Sequence, residues 1–393
     1  MSMVKVQDTG FKGRGLFAVV PIKAGTVLFE ESPLVSCQFS WNSSYGYLAC
    51  EYCLRPLETA ESNVRRLTND YTINLPYPEC CTVQEQLSSH TKCTDCMEMY
   101  CGAECLQNAL QLYHRVLCLG ANRSDTNHPI NALVEFWKNI HFPPETSSIM
   151  LVIKIIAMFK QHENTSKLRT QFEDFVSQTV NQDLMIFHKM LGENFSQQIE
   201  QLYDLICNAF DPSSDKRLHW LSLSGFRSLL ALIGTNGQGI GTSSFADWVR
   251  NVTDIEMNEM QREALDVTID NLYNKLDDVV GSFLNNEGSA LYARQSKVNH
   301  SCAPNTECRF PHSNNVLALT TIRDIDAGQE ICISYLDECA LERSRHSRQK
   351  MLSENYLFQC KCEKCESQVA DPDETSEEEG SSEEEQQMDD DSD

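Results

Sequence analysis

Residues 299–305 read Asn299-His300-Ser301-Cys302-Ala303-Pro304-Asn305, and residues 328–335 read Gly328-Gln329-Glu330-Ile331-Cys332-Ile333-Ser334-Tyr335. Short apolar runs surround them. Ala290–Ala293, Glu307–Phe310, Val316–Thr321 and Glu330–Tyr335 read as strands, with a turn at Asp326-Ala327-Gly328-Gln329 before the last. The same texture returns near residue 1. Gly13-Arg14-Gly15-Leu16-Phe17-Ala18 leads through a turn at Ile22-Lys23-Ala24-Gly25 into a strand at Val27-Leu28-Phe29-Glu30.

Between these β-rich ends lie eight metal-type ligands in one stretch of chain. They are Cys50-x2-Cys53, then Cys93-x2-Cys96-x4-Cys101-x3-Cys105, then His114-x3-Cys118. Thiolate and imidazole ligands in sets of four suit structural Zn²⁺, and eight ligands make two tetrahedral sites. A further motif, Cys360-x-Cys362-x2-Cys365, supplies three ligands and lacks a fourth. Cys80 and Cys81 are adjacent, which fits one tetrahedral site poorly, so packing or surface thiols are expected there. The stretch from Cys53 to Cys93 reads as an irregular insertion.

Composition narrows the class. The 393 residues are enough for two or three domains, and 41% hydrophobic residues allow a sizeable core. Eighteen cysteines suggest disulfides only in an oxidising compartment. The N-terminal MSMVKVQDTGFKGRG has no apolar h-region, so no secretory signal is expected and the cysteines read as reduced metal ligands. The longest apolar run, Ile149–Phe159, is about half what a bilayer needs and contains Lys154, so a buried helix is expected and no membrane association. Net charge is −25, but residues 371–393 hold 13 acidic and no basic side chains, leaving −12 elsewhere. Direct nucleic-acid binding is disfavoured, because phosphate requires clustered Lys and Arg. The densest basic cluster, Arg343, Arg345, Arg348 and Lys350, reads as a solvated face of a helix over Glu338–Asn355.

The middle of the chain is helical in pattern. Ile149–Lys160, Gln197–Phe210, Leu218–Ile233 and Met257–Asp277 show apolar spacings of three and four. Between the last two, residues 234–241 carry four glycines. No Gly-Lys-Ser/Thr follows, so a flexible loop is expected rather than a phosphate cradle. Beyond Cys365 the composition turns to Asp, Glu and Ser, which cannot bury enough apolar surface to fold.

Together, the stretches at 13–18, 299–305 and 328–335 resemble the SET fold of protein-lysine methyltransferases. The zinc module between the first and second resembles a MYND finger, although its Cys53–Cys93 gap is longer than usual. The split order is that of the SMYD family. The resemblance covers roughly residues 8–366. The acidic ending, without a C-terminal helical domain, is similar to one particular member.

The fold class implied is α+β: a SET-type all-β knot of short strands, interrupted by a MYND finger and a helical insertion. A post-SET zinc site and a disordered acidic tail complete it. The expected domains are a SET N-terminal part (1–49), the finger (50–118), a helical insertion (119–285) and the SET catalytic C-terminal part (286–355). A post-SET segment (356–366) and the tail (367–393) follow.

The resemblance also assigns residues. Cys50, Cys53, Cys101 and Cys105 would share one zinc, and Cys93, Cys96, His114 and Cys118 a second. Cys302 would complete the third site with Cys360, Cys362 and Cys365. This would hold Tyr356 and Phe358 over the cofactor, S-adenosylmethionine. Lys12 and Arg14 would reach its methionine carboxylate, and Asn299 would fix the methionine end beside Ser296 and Val298. His300 would make mainly backbone contacts to adenine, Phe358 would stack on it, and Asn236 would contact the cofactor from the glycine-rich segment. Tyr335 would be the catalytic residue, beside the methyl-transfer channel.

The reaction implied is methyl transfer to lysines of basic proteins of the histone or ribosomal class. The acidic tail would either attract such substrates or act as a solubilising tail. No general base is assigned, because burial and a nearby cation lower a lysine pKa of about 10.4 and water can take the proton. The competing reading is a non-catalytic MYND adaptor for proline-containing peptides. A monomer is expected, with a cytoplasmic address, alone or together with a nuclear one.

Overall fold

The computed structural model describes residues 2–81, 87–140, 148–175, 195–281 and 284–372. The acidic stretch from 373 onward, most of the expected tail, lies outside the described residues. Residue 367 does not begin a featureless segment, because Glu363–Ser367 is a helical turn. The strands are β1 (Val4–Asp8), β2 (Arg14–Ala18), β3 (Val27–Glu31), β4 (Val35–Gln38), β5 (Thr91–Lys92) and β6 (Met99–Tyr100). There follow β7 (Gln238–Thr242), β8 (Asn286–Leu291), β9 (Asn299–His300), β10 (Thr306–Arg309), β11 (Leu317–Thr321) and β12 (Glu330–Ile333).

The chain divides into two units. The first comprises Met1–Thr26, Val298–Glu307 and Thr321–Asp393. Its centre is a sheet in the order β1-β2-β12-β9. β1 and β2 form an antiparallel hairpin, with Val4 opposite Ala18 and Asp8 opposite Arg14. Alternation places Leu16 and Ala18 in the core. β12 runs antiparallel to β2, with Ile331 opposite Leu16. Ile331, Cys332 and Ile333 are all buried, as in a strand covered on both faces. Gly328, at φ +85°, makes the turn into β12, a conformation that disfavours a side chain.

The second unit comprises Val27–Lys297 and Cys308–Thr320. A sheet of order β4-β8-β7 lies within it, and β11 pairs antiparallel with β3. Its central helix is Ile149–Gln161, opened by Ser148, whose hydroxyl accepts the Met150 N–H. Every residue from Ile149 to Phe159 except Met150 is buried, including Lys154. The Lys154 ammonium donates to the carbonyls of Ser36 and Glu51 (both 2.9 Å) and to Tyr113 Oη (3.2 Å), and pairs with Glu51 Oε1 at 2.6 Å. No helix among the described residues is long and apolar enough to cross a membrane.

Three local expectations change. The Cys53–Cys93 insertion is not irregular throughout, since Ala60–Thr68 is a helix. Thr59 caps it, and its Val64 and Leu67 pack in one core with residues of the helices Ser244–Thr253 and Glu259–Val280. The glycine-rich segment is no loop. Its first residues finish the helix Leu223–Asn236, and the rest is β7, paired along its length with β8. Sheet hydrogen bonds there outweigh the entropy that glycine carries. The expected helix at 338–355 is two helices, Glu338–Glu342 and Arg345–Tyr356, because Ser344 caps the second with its side chain.

The buried Lys154–Glu51 pair yields a prediction. Lys154→Met strands the Glu51 carboxylate and should cost about 3 kcal/mol. Adding Glu51→Gln should recover part of that loss. Urea unfolding of the two variants beside wild type checks it, and an equal or larger loss in the double variant would refute the pairing.

Candidate active site and metal centres

In the first unit, the three motif stretches become neighbouring strands. β9 runs parallel to β12, with Asn299 opposite Cys332 and His300 opposite Ile333. β9 is only two residues long, so side chains extend the pairing. Asn305, buried, accepts the Cys332 N–H on Oδ1 and donates Nδ2 to the Glu330 carbonyl, both at 2.8 Å. Its amide thus substitutes for a peptide group of a missing strand. Ser301 N–H adds a bond to the Ile333 carbonyl (2.9 Å).

This pairing sets Tyr335, just beyond β12, beside His300. Tyr335 N–H donates to His300 Nδ1 (2.9 Å), and Tyr335 Oη donates to the Val298 carbonyl (2.9 Å). Tyr356 Oη in turn donates to the Tyr335 carbonyl (3.1 Å). The rings of Tyr335, Tyr356, Phe358 and His300 cluster, with Tyr335 lying 5.0 Å from Tyr356, 5.4 Å from His300 and 6.3 Å from Phe358. Leu357, between two of these aromatics, holds a left-handed conformation (φ 60°), uncommon for a branched side chain. It ends the preceding helix, its N–H donating to the Ser353 carbonyl.

Burial holds the His300 imidazole down to about 4. With Nδ1 accepting, the proton of the neutral ring sits on Nε2, which lies 3.3 Å from Cys302 Sγ. The side chain therefore braces Tyr335 and a thiolate and is not placed as a base.

On the other side of β12, Lys12 and Asn299 meet Glu330. Lys12 Nζ pairs with Glu330 Oε2, and Asn299 Nδ2 donates to Glu330 Oε1, each at 2.8 Å. Asn299 Nδ2 also donates to the Arg14 carbonyl (3.2 Å). Gly15 is required here by close approach. A Cβ would lie 2.9 Å from Glu330 Oε1 and 3.0 Å from Asn299 Nδ2. Arg14 is exposed at the start of β2. Asn236 and Ser296 belong to the second unit. Asn236 is buried and donates Nδ2 to the Leu232 carbonyl, and Ser296 Oγ donates to the Ala293 carbonyl.

The metal-type ligands gather into three groups of four, each with its ligand atoms within 4.8 Å of one another. They are Cys50, Cys53, Cys101 and Cys105, then Cys93, Cys96, His114 and Cys118, then Cys302, Cys360, Cys362 and Cys365. Tetrahedral zinc with Zn–S of about 2.3 Å requires ligand separations of about 3.8 Å. The sulfurs of Cys53 and Cys101 are 3.6 Å apart, those of Cys93 and Cys118 3.8 Å, and those of Cys302 and Cys365 3.5 Å. His114 Nε2 lies 3.4 Å from Cys96 Sγ, and its Nδ1 lies 3.1 Å from the buried Tyr100 hydroxyl, which orients the ring for ligation. The groups fit three zinc ions. Cys80 and Cys81 join no group among the described residues and are half-buried in an apolar cluster.

Three charged residues escaped sequence reading. Glu330 lay inside a recognised motif but had no visible partner. Lys154 was seen only as a polar interruption. Arg348 was expected on a solvated face, yet it is 1% exposed. Its Nη2 lies 3.9 Å from Cys365 Sγ and donates to Gln368 Oε1. Four thiolates around one Zn²⁺ leave net negative charge, which a buried guanidinium offsets.

Comparison with known proteins agrees with this architecture. The SET domain family profile matches residues 13–336. The chain is 50% identical over 366 residues to the protein-lysine N-trimethyltransferase SMYD5 of Danio rerio, covering 93% of this chain and 87% of that one. It is 48% identical over the same length to the Homo sapiens protein of that name, again covering 93% and 87%. Among solved structures, a crystal structure of the SET domain of LSMT bound to lysine and AdoHcy aligns at TM-score 0.32 and 9% identity, a slight likeness. It covers 91% of this chain and 53% of that one. The chain belongs to the SET-domain family, in its SMYD branch. Within that branch its similarity to SMYD5 runs through nearly the whole sequence.

The metal centres give a direct test. Elemental analysis should find three zinc ions per chain, one for each group. Cys302→Ser should remove one of them and speed amide exchange around Tyr356 and Phe358. Full zinc retention in that variant would contradict the grouping.

Proposed function

We infer that this chain is an S-adenosylmethionine-dependent protein-lysine N-methyltransferase. One observation carries the reading most: Asn299 and His300 on β9 stand beside Tyr335, backed by the rings of Tyr356 and Phe358. An adaptor has no need of this arrangement. The close relatives support the same activity, and their name extends it to three methyl groups per lysine.

S-adenosylmethionine, when bound, supplies an electrophilic methyl group. The chain supplies binding and orientation. Lys12 and Arg14 are assigned to the carboxylate end, and Asn299 with Val298 to the methionine end. His300, Tyr356 and Phe358 are assigned to the adenine side. Tyr335 orients the incoming amine. Its hydroxyl is held by the Val298 carbonyl, so its ring is fixed before substrate arrives. Apolar rings around the amine disfavour its charged form, which favours the neutral nucleophile.

The substrate class we propose is basic protein of the histone or ribosomal kind. An acidic C-terminal stretch would raise the encounter rate with such partners at low salt. The MYND module is assigned proline-containing peptides, and the third zinc the role of anchoring the C-terminal segment. The domain divisions at 49, 118, 285, 355 and 366 are kept as functional boundaries. A monomer is kept as the default, and a cytoplasmic address, alone or together with a nuclear one, fits the lack of a Lys/Arg localisation block.

The test is transfer of labelled methyl from S-adenosylmethionine to proteins of a cell extract. Wild type should label basic proteins. Tyr335→Phe and Asn299→Ala should each lower turnover by about ten-fold or more. Equal labelling by all three would refute the assignment.

A further inference from the structure

Asn299 has an amide whose polarity is dictated by its neighbours. An ionised carboxylate accepts and never donates, so the side of the amide facing Glu330 must be Nδ2. Nδ2 donates to Glu330 Oε1 at 2.8 Å and to the Arg14 carbonyl at 3.2 Å. Both of its N–H groups are therefore spent, and what Asn299 has left to offer is Oδ1, an acceptor. The other oxygen of Glu330 holds Lys12 at 2.8 Å. Burial lowers the Lys12 pKa, but the hydrogen bond and charge of Glu330 more than offset it and the net shift is upward, so the cation is retained. One carboxylate thus presents a cation from the loop between β1 and β2 and an acceptor from β9.

A cation and a neutral acceptor side by side complement a free amino acid end, with its carboxylate and ammonium. We propose that Glu330 is a positioning residue that makes the site selective for a cofactor carrying an α-ammonium group. It does so by locking Asn299 with Oδ1 outward while holding Lys12 for the carboxylate. The inference rests on the cofactor reading above and adds a residue and a specificity to it. Its sequence signal is slight, because a glutamate in a strand otherwise reads as solvent-facing.

The experiment is calorimetric binding to the full zinc-loaded chain, with no turnover involved. The ligands are S-adenosylhomocysteine and its analogue with hydrogen in place of the α-amino group. Wild type should prefer the amino compound by roughly ten-fold or more, the worth of a charge-assisted hydrogen bond. Glu330→Gln can both donate and accept, so the Asn299 amide is no longer locked. That variant should weaken S-adenosylhomocysteine roughly ten-fold more than the deamino analogue, whose smaller loss reports only the loosened hold on Lys12. Lys12→Met should weaken both ligands alike, because both keep the carboxylate. Zinc content and melting temperature confirm folding. Should Glu330→Gln not fold, Glu330→Ala, which leaves the Asn299 amide no carboxylate to lock it, reads the same ratio. Equal weakening of both ligands by the Glu330 variant would reduce the residue to a structural brace and overturn the proposal. Unchanged binding of both would overturn it as well. Failure of wild type to bind S-adenosylhomocysteine would instead sink the cofactor reading, and the inference with it.

Discussion

Parallel pairing of the two residues of β9 with β12 is the constraint on which the first unit depends. Parallel pairs so short are weak by themselves. Here Asn305 and Thr306 hold the β12 backbone with their side chains, the Thr306 hydroxyl donating to the Cys332 carbonyl at 2.9 Å. The consequence is a register with a side-chain cluster on both sides. Asn299 is placed against Glu330, His300 against Tyr335, and Cys302 within reach of three cysteines near the end of the described chain. A slip of one residue would turn each of these side chains away.

The second unit has its own fixed point, the zinc knuckle at residues 50–54. Four successive carbonyls there are taken by buried donors from distant parts of the chain. Lys154 holds that of Glu51, and Ser36 and Asn315 hold that of Tyr52. The Asn315 N–H holds that of Cys53, and the Thr242 hydroxyl that of Leu54. Leu54 itself is buried in a left-handed conformation (φ 61°). This metal-ligand segment is therefore no appended module, because its backbone hydrogen-bonding needs are met by the core it joins.

Charge in this protein is placed by pairing rather than by solvent. Lys154 lies among apolar helix residues because Glu51 and three oxygens receive it. Arg348 lies against a thiolate cluster, and Glu330 between a lysine and an amide. Each such group would be costly alone and becomes specific when matched.

Much of this was legible in the sequence. The CxxC spacings named the metal ligands, since thiolates at that spacing need little else to declare themselves. The helices at 149–161, 195–210 and 259–280 followed from apolar spacing, a property of adjacent turns. The short stretches at 13–18, 299–305 and 328–335 pointed to the SET fold. What failed was local inference where the deciding contact is remote. The helix Ala60–Thr68 and the strand β7 owe their form to packing and pairing that composition does not record. By itself the sequence determined which cysteines and histidine form the metal-type groups and which helix faces are apolar. Only the tertiary structure decided that Glu330 faces Lys12 and Asn299, that Arg348 is buried, and that Asn305 stands in for backbone. The reason is physical: periodicity is written within one or two turns, whereas these partners are separated by up to 318 residues and meet only when the strands pair.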